Sequence, residues 1–153
     1  MGAGDLPDDP FVVGHFENVR AGLVLGVAGI PIAHDGIAAT EAAHTSQDAD
    51  LDVAITTCAN SRMINGGQSC IAAKRFIVHA DVHDEFVEGI VDAMGTAVMG
   101  DPRNDETDYG PLARVDLRDE LHGQVTSSIE AGATLELGGT IPDRPGAWYP
   151  ATV

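Results

Sequence analysis

The sequence predicts an α/β fold, and three observations favour this class. The chain has 153 residues, of which 44% are hydrophobic, so it is long enough to bury a core. From residue 47 onward, a helical segment is followed by a β-branched strand, and an amphipathic helix follows that strand. Helices that alternate with strands in this way pack as layers of helix on sheet.

The first helix and strand of this pattern lie between residues 48 and 79. The acidic run Asp48-Ala-Asp-Leu-Asp marks a helix start, because carboxylates favour the positive N-terminal end of a helix. We expect this helix to extend to about Ser61. The segment Lys74–His79 is rich in β-branched and aromatic residues and predicts a strand.

The remaining elements follow from periodicity and from turn residues. Apolar positions 82, 86, 87, 90, 91 and 94 predict an amphipathic helix, and positions 117, 121, 125 and 129 predict a second one. Between them, residues 100–111 read as a loop. Gly132 is expected to end the second helix in a left-handed conformation. Residues 133–137 and 148–153 predict short strands, with a turn at Gly138-Gly139.

Residues 1–46 form a divergent N-terminal segment with seven glycines and three prolines. Residues 11–13 are a candidate strand, whereas residues 20–30 fit either a buried strand or a short helix. The glycines in this segment lack the spacing of the dinucleotide-binding pattern Gly-x-Gly-x-x-Gly. A packing role for these small residues is therefore favoured over a phosphate-binding loop.

The net charge of −16 excludes several kinds of partner. An acidic surface repels nucleic acids and anionic membranes, so we expect neither as a partner. Sixteen Asp, eight Glu and the single Lys74 are typical of a halophilic protein, whose carboxylates are screened at high salt. The sequence shows no secretory leader and no membrane-spanning apolar run, so we predict a cytoplasmic location.

Two cysteines are too few for a disulfide framework, so both are interpreted as thiols. Cys58 lies within a predicted helix and is expected to be a small core residue. His79 and His83, with Asp81, could bind a metal or could be plain surface residues. Because the two histidines flank a strand-to-helix turn and do not share one helix face, we predict no metal site.

Cys70 has the surroundings of a nucleophile. Gly66 and Gly67 precede it and would let the backbone approach a substrate closely. If Cys70 stands at a loop-to-helix junction, the helix dipole would favour the thiolate, and backbone N–H groups could receive an oxyanion. Such a site suits covalent attack on a carbonyl carbon. On this evidence alone, an ordinary buried cysteine remains the commoner alternative.

The residues around Cys70 resemble the catalytic-cysteine segment of the aldehyde dehydrogenase superfamily. That segment has the pattern Gly-Gln-x-Cys, then small residues, an arginine and a strand, and this chain has Asn65-Gly-Gly-Gln-Ser-Cys-Ile-Ala-Ala-Lys-Arg-Phe-Ile-Val. The similarity covers about residues 46–153, and residues 113–122 resemble the succinate-semialdehyde dehydrogenase branch. Further matches in order and spacing are Met99-Gly-Asp-Pro, Thr107-Asp-Tyr-Gly-Pro-Leu, Glu130-Ala-Gly-Ala-Thr, Gly138-Gly and Tyr149-Pro-Ala-Thr-Val.

The resemblance implies a partial catalytic domain over residues 47–153, a three-layer sheet with helices on its faces, without the Rossmann cofactor domain. It also implies NAD or NADP as cofactor, a small-molecule aldehyde as substrate and a homo-oligomer. Cys70 would attack the aldehyde and form a thioester, and its own N–H would bind the substrate oxygen. Asn65, Gly67, Gln68 and Ser69 would shape the loop. Lys74 and Arg75 would be structural or solvated and not catalytic.

This sequence departs from the family pattern near its start. The family's general base is the glutamate of a Glu-Leu-Gly-Gly run, but Gly4 occupies the matching offset before Asp9-Pro-Phe-Val-Val. Residues 14–46 then intervene where the family has almost none. The later Glu-x-Phe-Gly-Pro segment is expected beyond Val153. Two hypotheses follow: an NAD(P)-dependent aldehyde dehydrogenase, or a truncated, inactive fragment that serves at most in folding or oligomerisation.

Overall fold

The computed structural model describes residues 19–23 and 42–153, with side chains from residue 45 onward. This part of the chain contains three strands, three α-helices and two short 3-10 helices at Ile64–Gly67 and Ala80–Val82. The strands are β1 (Val19–Leu23), β2 (Ala42–Thr45) and β3 (Arg75–His79). The helices are α1 (Leu51–Met63), α2 (His83–Gly95) and α3 (Val115–Glu130). The predicted α/β class is confirmed.

The sheet has the order β1-β3-β2, so the strand that follows the Cys70 segment is central. β2 and β3 are parallel and are joined through α1, since parallel strands need a crossover connection. β1 pairs antiparallel with β3, with Val19 opposite His79. β1 overlaps the first four residues of segment 20–30, for which strand and helix were both open, and these four form a strand. The candidate strand at residues 11–13 lies outside the described residues.

The predicted helix patterns are confirmed, with shifts of a few residues at the ends. Asp50 caps α1, because its carboxylate accepts a 3.1 Å hydrogen bond from the Val53 amide. α2 buries Phe86, Ile90 and Met94 along one stripe. α3 buries Leu121 and Val125. Among residues 19–23 and 42–153, no helix has the length and apolarity that a membrane crossing requires.

The core lies where the helices meet one face of β3. Burial alternates along this strand, so Phe76 and Val78 face the core, while their neighbours are partly exposed. Phe76 meets Phe86 of α2 edge to face, with ring centroids 5.9 Å apart. Gly89 allows α1 and α2 to approach closely, because a Cβ there would overlap the side chain of Ile55.

Two strand predictions were wrong. Residues 133–136 form no strand and are exposed, and the pairing is limited to bonds that join Glu136 and Leu137 to Val153. Residues 148–153 are irregular because Pro150 has no N–H and the Ala151 amide donates to a side chain, the Tyr109 hydroxyl, at 2.9 Å. The left-handed end of α3 is confirmed: Gly132 has φ +104°, and the Ala133 amide donates to the Ser128 carbonyl.

Tyr149 joins α3 to this C-terminal segment and should give stability a dependence on alkaline pH. Its ring is fully buried, and its hydroxyl lies 3.0 Å from Nδ1 of His122. Burial raises the pKa of Tyr149 to about 12. Because the folded-state pKa lies above the unfolded value of about 10, the contribution is complete below pH 10 and is lost as pH rises towards 12.

We therefore expect Tyr149→Phe to weaken the alkaline loss of stability while costing about 1 kcal/mol at neutral pH through the lost hydrogen bond. Urea unfolding followed by circular dichroism at about pH 8 and about pH 11 measures both effects. Burial also raises the pKa of Tyr109, so some alkaline slope should persist in the variant. Equal slopes in the variant and the parent chain would contradict the assignment to Tyr149.

Candidate active site

Cys70 lies on the surface, in the connection between α1 and β3. Cys70 does not stand at a loop-to-helix junction, the condition under which a helix dipole would favour its thiolate, because it sits in a turn and β3 is the next regular element. The Ala72 amide closes that turn by donating to the Ser69 carbonyl at 3.1 Å. Ala72 and Ala73 are buried behind it, so the chain passes straight from the turn into the sheet. A helix dipole therefore does not act on the Cys70 thiol from its C-terminal side.

Cys58 is buried, as predicted for a core residue. Burial raises the pKa of the Cys58 thiol, because the thiolate would lose its hydration. The two thiols thus differ in access to solvent: Cys70 meets it and Cys58 does not. Reagents that are too polar to enter the core should distinguish them.

Three consecutive residues before Cys70 adopt left-handed backbone conformations. Asn65, Gly66 and Gly67 have φ angles of +53°, +60° and +75°. Glycine adopts this region without a steric penalty, and asparagine tolerates it better than most residues. Gly66 and Gly67 are buried, so the bend is packed against the protein and turns the chain back after α1. The glycines identified from the sequence therefore act through backbone conformation.

Gln68 links the Cys70 turn to the segment that precedes α3. Its side-chain amide nitrogen donates to the Asn65 carbonyl at 3.3 Å. Its side-chain oxygen accepts a 2.9 Å hydrogen bond from the Ala113 amide, 45 residues further along the chain. The structure thus places the predicted residues Asn65, Gly67, Gln68, Ser69 and Cys70 in one compact turn.

Sequence reasoning missed Arg62, which is 1% exposed beneath this turn. Its guanidinium donates to the Gly67 carbonyl at 2.8 Å and to the Ala73 carbonyl at 3.0 Å. These carbonyls lie on either side of Cys70, so one side chain holds both ends of the turn. A basic residue in the last turn of a helix that leads into a glycine-rich segment was the available signal.

Lys74 is the other buried cation of this region, at 7% exposure. Its ammonium nitrogen lies 3.4 Å from the Cys70 carbonyl oxygen, so it supports the turn from the β3 side. Of the two roles considered for Lys74, structural or solvated, this buried contact favours the structural one. His79 contacts the carboxylate of Asp81, and His83 contacts that of Asp84. Within residues 19–23 and 42–153, no cluster of three or more metal-ligating side chains is found.

In β-α-β units that bind dinucleotides, the pyrophosphate lies at the helix N-terminus, which in the β2-α1-β3 unit is the start of α1. Here the Asp50 carboxylate already accepts from the helix N-terminus. Asp48 lies just before it, and a hydrogen bond from the Ser46 hydroxyl lowers the pKa of its carboxyl. Two carboxylates at this position would repel phosphate, so this unit does not fit the pyrophosphate of NAD(P).

Comparison with known proteins decides the family. The sequence model of the aldehyde dehydrogenase family matches residues 38–153, and it therefore begins ahead of the domain boundary predicted at residue 47. The chain belongs to the aldehyde dehydrogenase family. This membership confirms the resemblance that the Gly67-Gln68-Ser69-Cys70 run indicated, and with it the partial α/β domain.

Curated members of the aldehyde dehydrogenase family share about half of their residues with the matched part of this chain. The succinate-semialdehyde dehydrogenase [NADP(+)] of Mycobacterium leprae is 53% identical over 105 residues, which are 69% of this chain and 23% of that protein. The protein of the same name from Mycobacterium avium is 52% identical and is covered to 22%. The chain thus spans less than a quarter of the length of these relatives.

Solved structures of aldehyde dehydrogenases share the fold of this chain. The lactaldehyde dehydrogenase of Escherichia coli superposes with a TM-score of 0.71 at 32% identity. The superposition covers 74% of this chain and 24% of the lactaldehyde dehydrogenase chain. A betaine aldehyde dehydrogenase of Staphylococcus aureus, solved in complex with NAD+, gives a TM-score of 0.69 at 25% identity. This superposition covers 74% of this chain and 23% of the betaine aldehyde dehydrogenase chain.

Proposed function

We propose that this chain carries the nucleophile of an NAD(P)-dependent oxidation of an aldehyde similar to succinate semialdehyde to the corresponding acid, through a thioester at Cys70. The observation that carries the proposal is an exposed thiol in a turn whose two ends are held by a buried guanidinium. The names of the Mycobacterium relatives support the substrate class and NADP, and the Staphylococcus aureus complex supports a nicotinamide cofactor.

The covalent step begins with attack of the Cys70 thiolate on the carbonyl carbon of the aldehyde. A sulfur–carbon bond forms while the carbonyl π pair moves to oxygen, which then takes up the proton released by the thiol. The product is a thiohemiacetal. The Cys70 backbone N–H is assigned to the developing oxyanion. Asn65, Gly67, Gln68 and Ser69 hold the backbone that presents both groups.

NAD(P)+, when bound, would supply the hydride acceptor that converts the thiohemiacetal into a thioester. The Asp50 carboxylate accepts from the N-terminus of α1, and Asp48 places a second negative charge just before it, so the β2-α1-β3 unit is assigned no cofactor contact. The proposed role of the residues around Cys70 is therefore to capture the aldehyde, and none of them is assigned a contact with the dinucleotide.

An ester that reports acyl transfer tests Cys70 without any cofactor. With 4-nitrophenyl acetate, we expect a burst of about one equivalent of 4-nitrophenolate per chain, because attack by the thiolate releases the leaving group once per nucleophile. Cys70→Ser should abolish the burst. The matched control Cys58→Ser should retain it, since Cys58 is buried. Succinate semialdehyde should slow the burst of the parent chain by occupying the same thiol.

A second candidate function is an inactive module for folding or homo-oligomerisation. It is favoured by large apolar side chains on the surface, with Ile71 71% and Val53 61% exposed. The same experiment separates the two candidates. A folded chain without a Cys70-dependent burst would reject the nucleophile proposal and favour the second candidate.

A further inference from the structure

Both buried charged side chains from residue 45 onward are cations, although the chain is strongly acidic. Arg62 and Lys74 donate to carbonyls of a single turn, those of Gly67, Cys70 and Ala73. Burying a charge is costly unless hydrogen bonds compensate it. Both buried cations contact the backbone around Cys70, which indicates that the conformation of this turn is specifically stabilised.

The planar fork of arginine suits this task. A guanidinium presents several N–H donors in fixed directions, so it can hold two carbonyls at a set separation. Here the Nη1 group donates to the Ala73 carbonyl, and the Nη2 group donates to the Gly67 carbonyl. The left-handed backbone at residues 65–67 benefits from such support, because a glycine-rich bend would otherwise sample many conformations.

We propose that Arg62 is a positioning residue for the Cys70 nucleophile: by joining the Gly67 and Ala73 carbonyls, it fixes the direction of the thiol and of the adjacent N–H. This inference rests on the proposed function, in which Cys70 attacks a carbonyl carbon. Arg62 contacts neither substrate nor reacting atoms and acts through the turn. Lys74 provides a second attachment of the same turn at the Cys70 carbonyl.

The test compares two reactions of Cys70 in a Cys58→Ser background, where it is the one thiol. Acylation by 4-nitrophenyl acetate depends on the direction of attack and on the oxyanion donor, whereas alkylation by iodoacetamide requires little beyond an accessible thiolate. We expect Arg62→Met to slow acylation about tenfold or more while alkylation stays within about twofold. Arg62→Lys should recover part of the acylation rate. Arg114→Met, at an exposed arginine paired with Asp116, is the matched control and should change neither rate.

Hydrogen exchange of the peptide that contains residues 64–73 gives a readout independent of catalysis. Arg62→Met should accelerate exchange in this peptide and leave α2 and α3 unchanged, whereas exchange equal to the parent would overturn the proposal. If Arg62→Met lowers the acylation rate and the alkylation rate by the same factor, the proposal is also overturned. The variant would then have changed the access to the thiol and not its orientation.

If Arg62→Met does not fold, Arg62→Gln replaces it in the test, because the glutamine amide can retain one of the two hydrogen bonds to the Gly67 and Ala73 carbonyls. Slower acylation and faster exchange in this peptide would support the proposal, and parent-like values would reject it. Loss of structure in both variants would also reject it, because Arg62 would then hold the fold and not the turn. A parent chain without any burst refutes the proposed function, while the exchange data still report separately on the Arg62 attachment.

Discussion

Gly138→Ala is expected to destabilise the folded chain by on the order of 3 kcal/mol or more. Gly138 has φ +72°, a conformation that side chains other than glycine rarely adopt. A Cβ at this position would also overlap the backbone carbonyl oxygen of Ala151 and crowd the hydroxyl of Thr152, a buried residue. Relief would require the backbone to move apart where three backbone hydrogen bonds join Glu136 and Leu137 to Val153. Urea unfolding followed by circular dichroism measures the loss.

Two other glycines separate the contributions of conformation and overlap. Gly132 also has a positive φ, +104°, but a Cβ there would meet nothing within 4 Å. Gly132→Ala should therefore cost only about 1 kcal/mol. Gly123 lies inside α3 with open space around it, so Gly123→Ala should stabilise the chain by about 0.5–1 kcal/mol. A Gly138→Ala variant no less stable than Gly132→Ala would contradict the overlap with Ala151.

Transfer from molar salt to low salt is expected to unfold the chain. Every acidic side chain from residue 45 onward is exposed, while the total charge is −16. The screening length is about 3 Å at 1 M salt and about 10 Å at 0.1 M. Repulsion between surface carboxylates therefore extends much further in dilute buffer. That repulsion acts against the compact state. Circular dichroism during dialysis should therefore show loss of the helical signal below about 1 M salt.

A charge-reversed variant provides the control for this prediction. Glu88 and Asp92 lie exposed on α2, and replacing both with lysine changes the net charge by +4, from −16 to −12. The variant should need less salt to remain folded. Sucrose at equal osmolality should restore the fold less effectively than salt, because it favours the compact state only through exclusion from the surface and does not screen charge. A spectrum of the parent chain that is the same at low and at molar salt would show that its acidic surface is not an adaptation to salt.

Part of the site could be predicted from local sequence patterns, and part of it could not. Cys70 and Gln68 could be identified from the run Gly67-Gln68-Ser69-Cys70, because the family pattern is contiguous in sequence. The contact from Gln68 to the Ala113 amide could not, since it joins segments 45 residues apart. Arg62 was missed for a related reason. Its position on a helix is visible in the sequence, but its burial beneath the turn depends on how α1 packs.

The strand errors have the same origin. Residues 133–137 have strand composition, but a strand forms only where a partner offers a ladder of hydrogen bonds. In the described structure, only Glu136 and Leu137 find such bonds, with Val153. The helices were easier to predict, because their hydrogen bonds are local and their apolar stripes lie at fixed spacing.

By itself, the sequence determined the α/β class, the three helices, the strand β3, the acidic surface and the position of Cys70. Each of these follows from composition or from residues close together in the chain. Only the tertiary structure decided that Arg62 and Lys74 lie buried beneath the Cys70 turn and donate to its carbonyls. The physical reason is that a buried cation needs carbonyl partners that packing alone brings within reach.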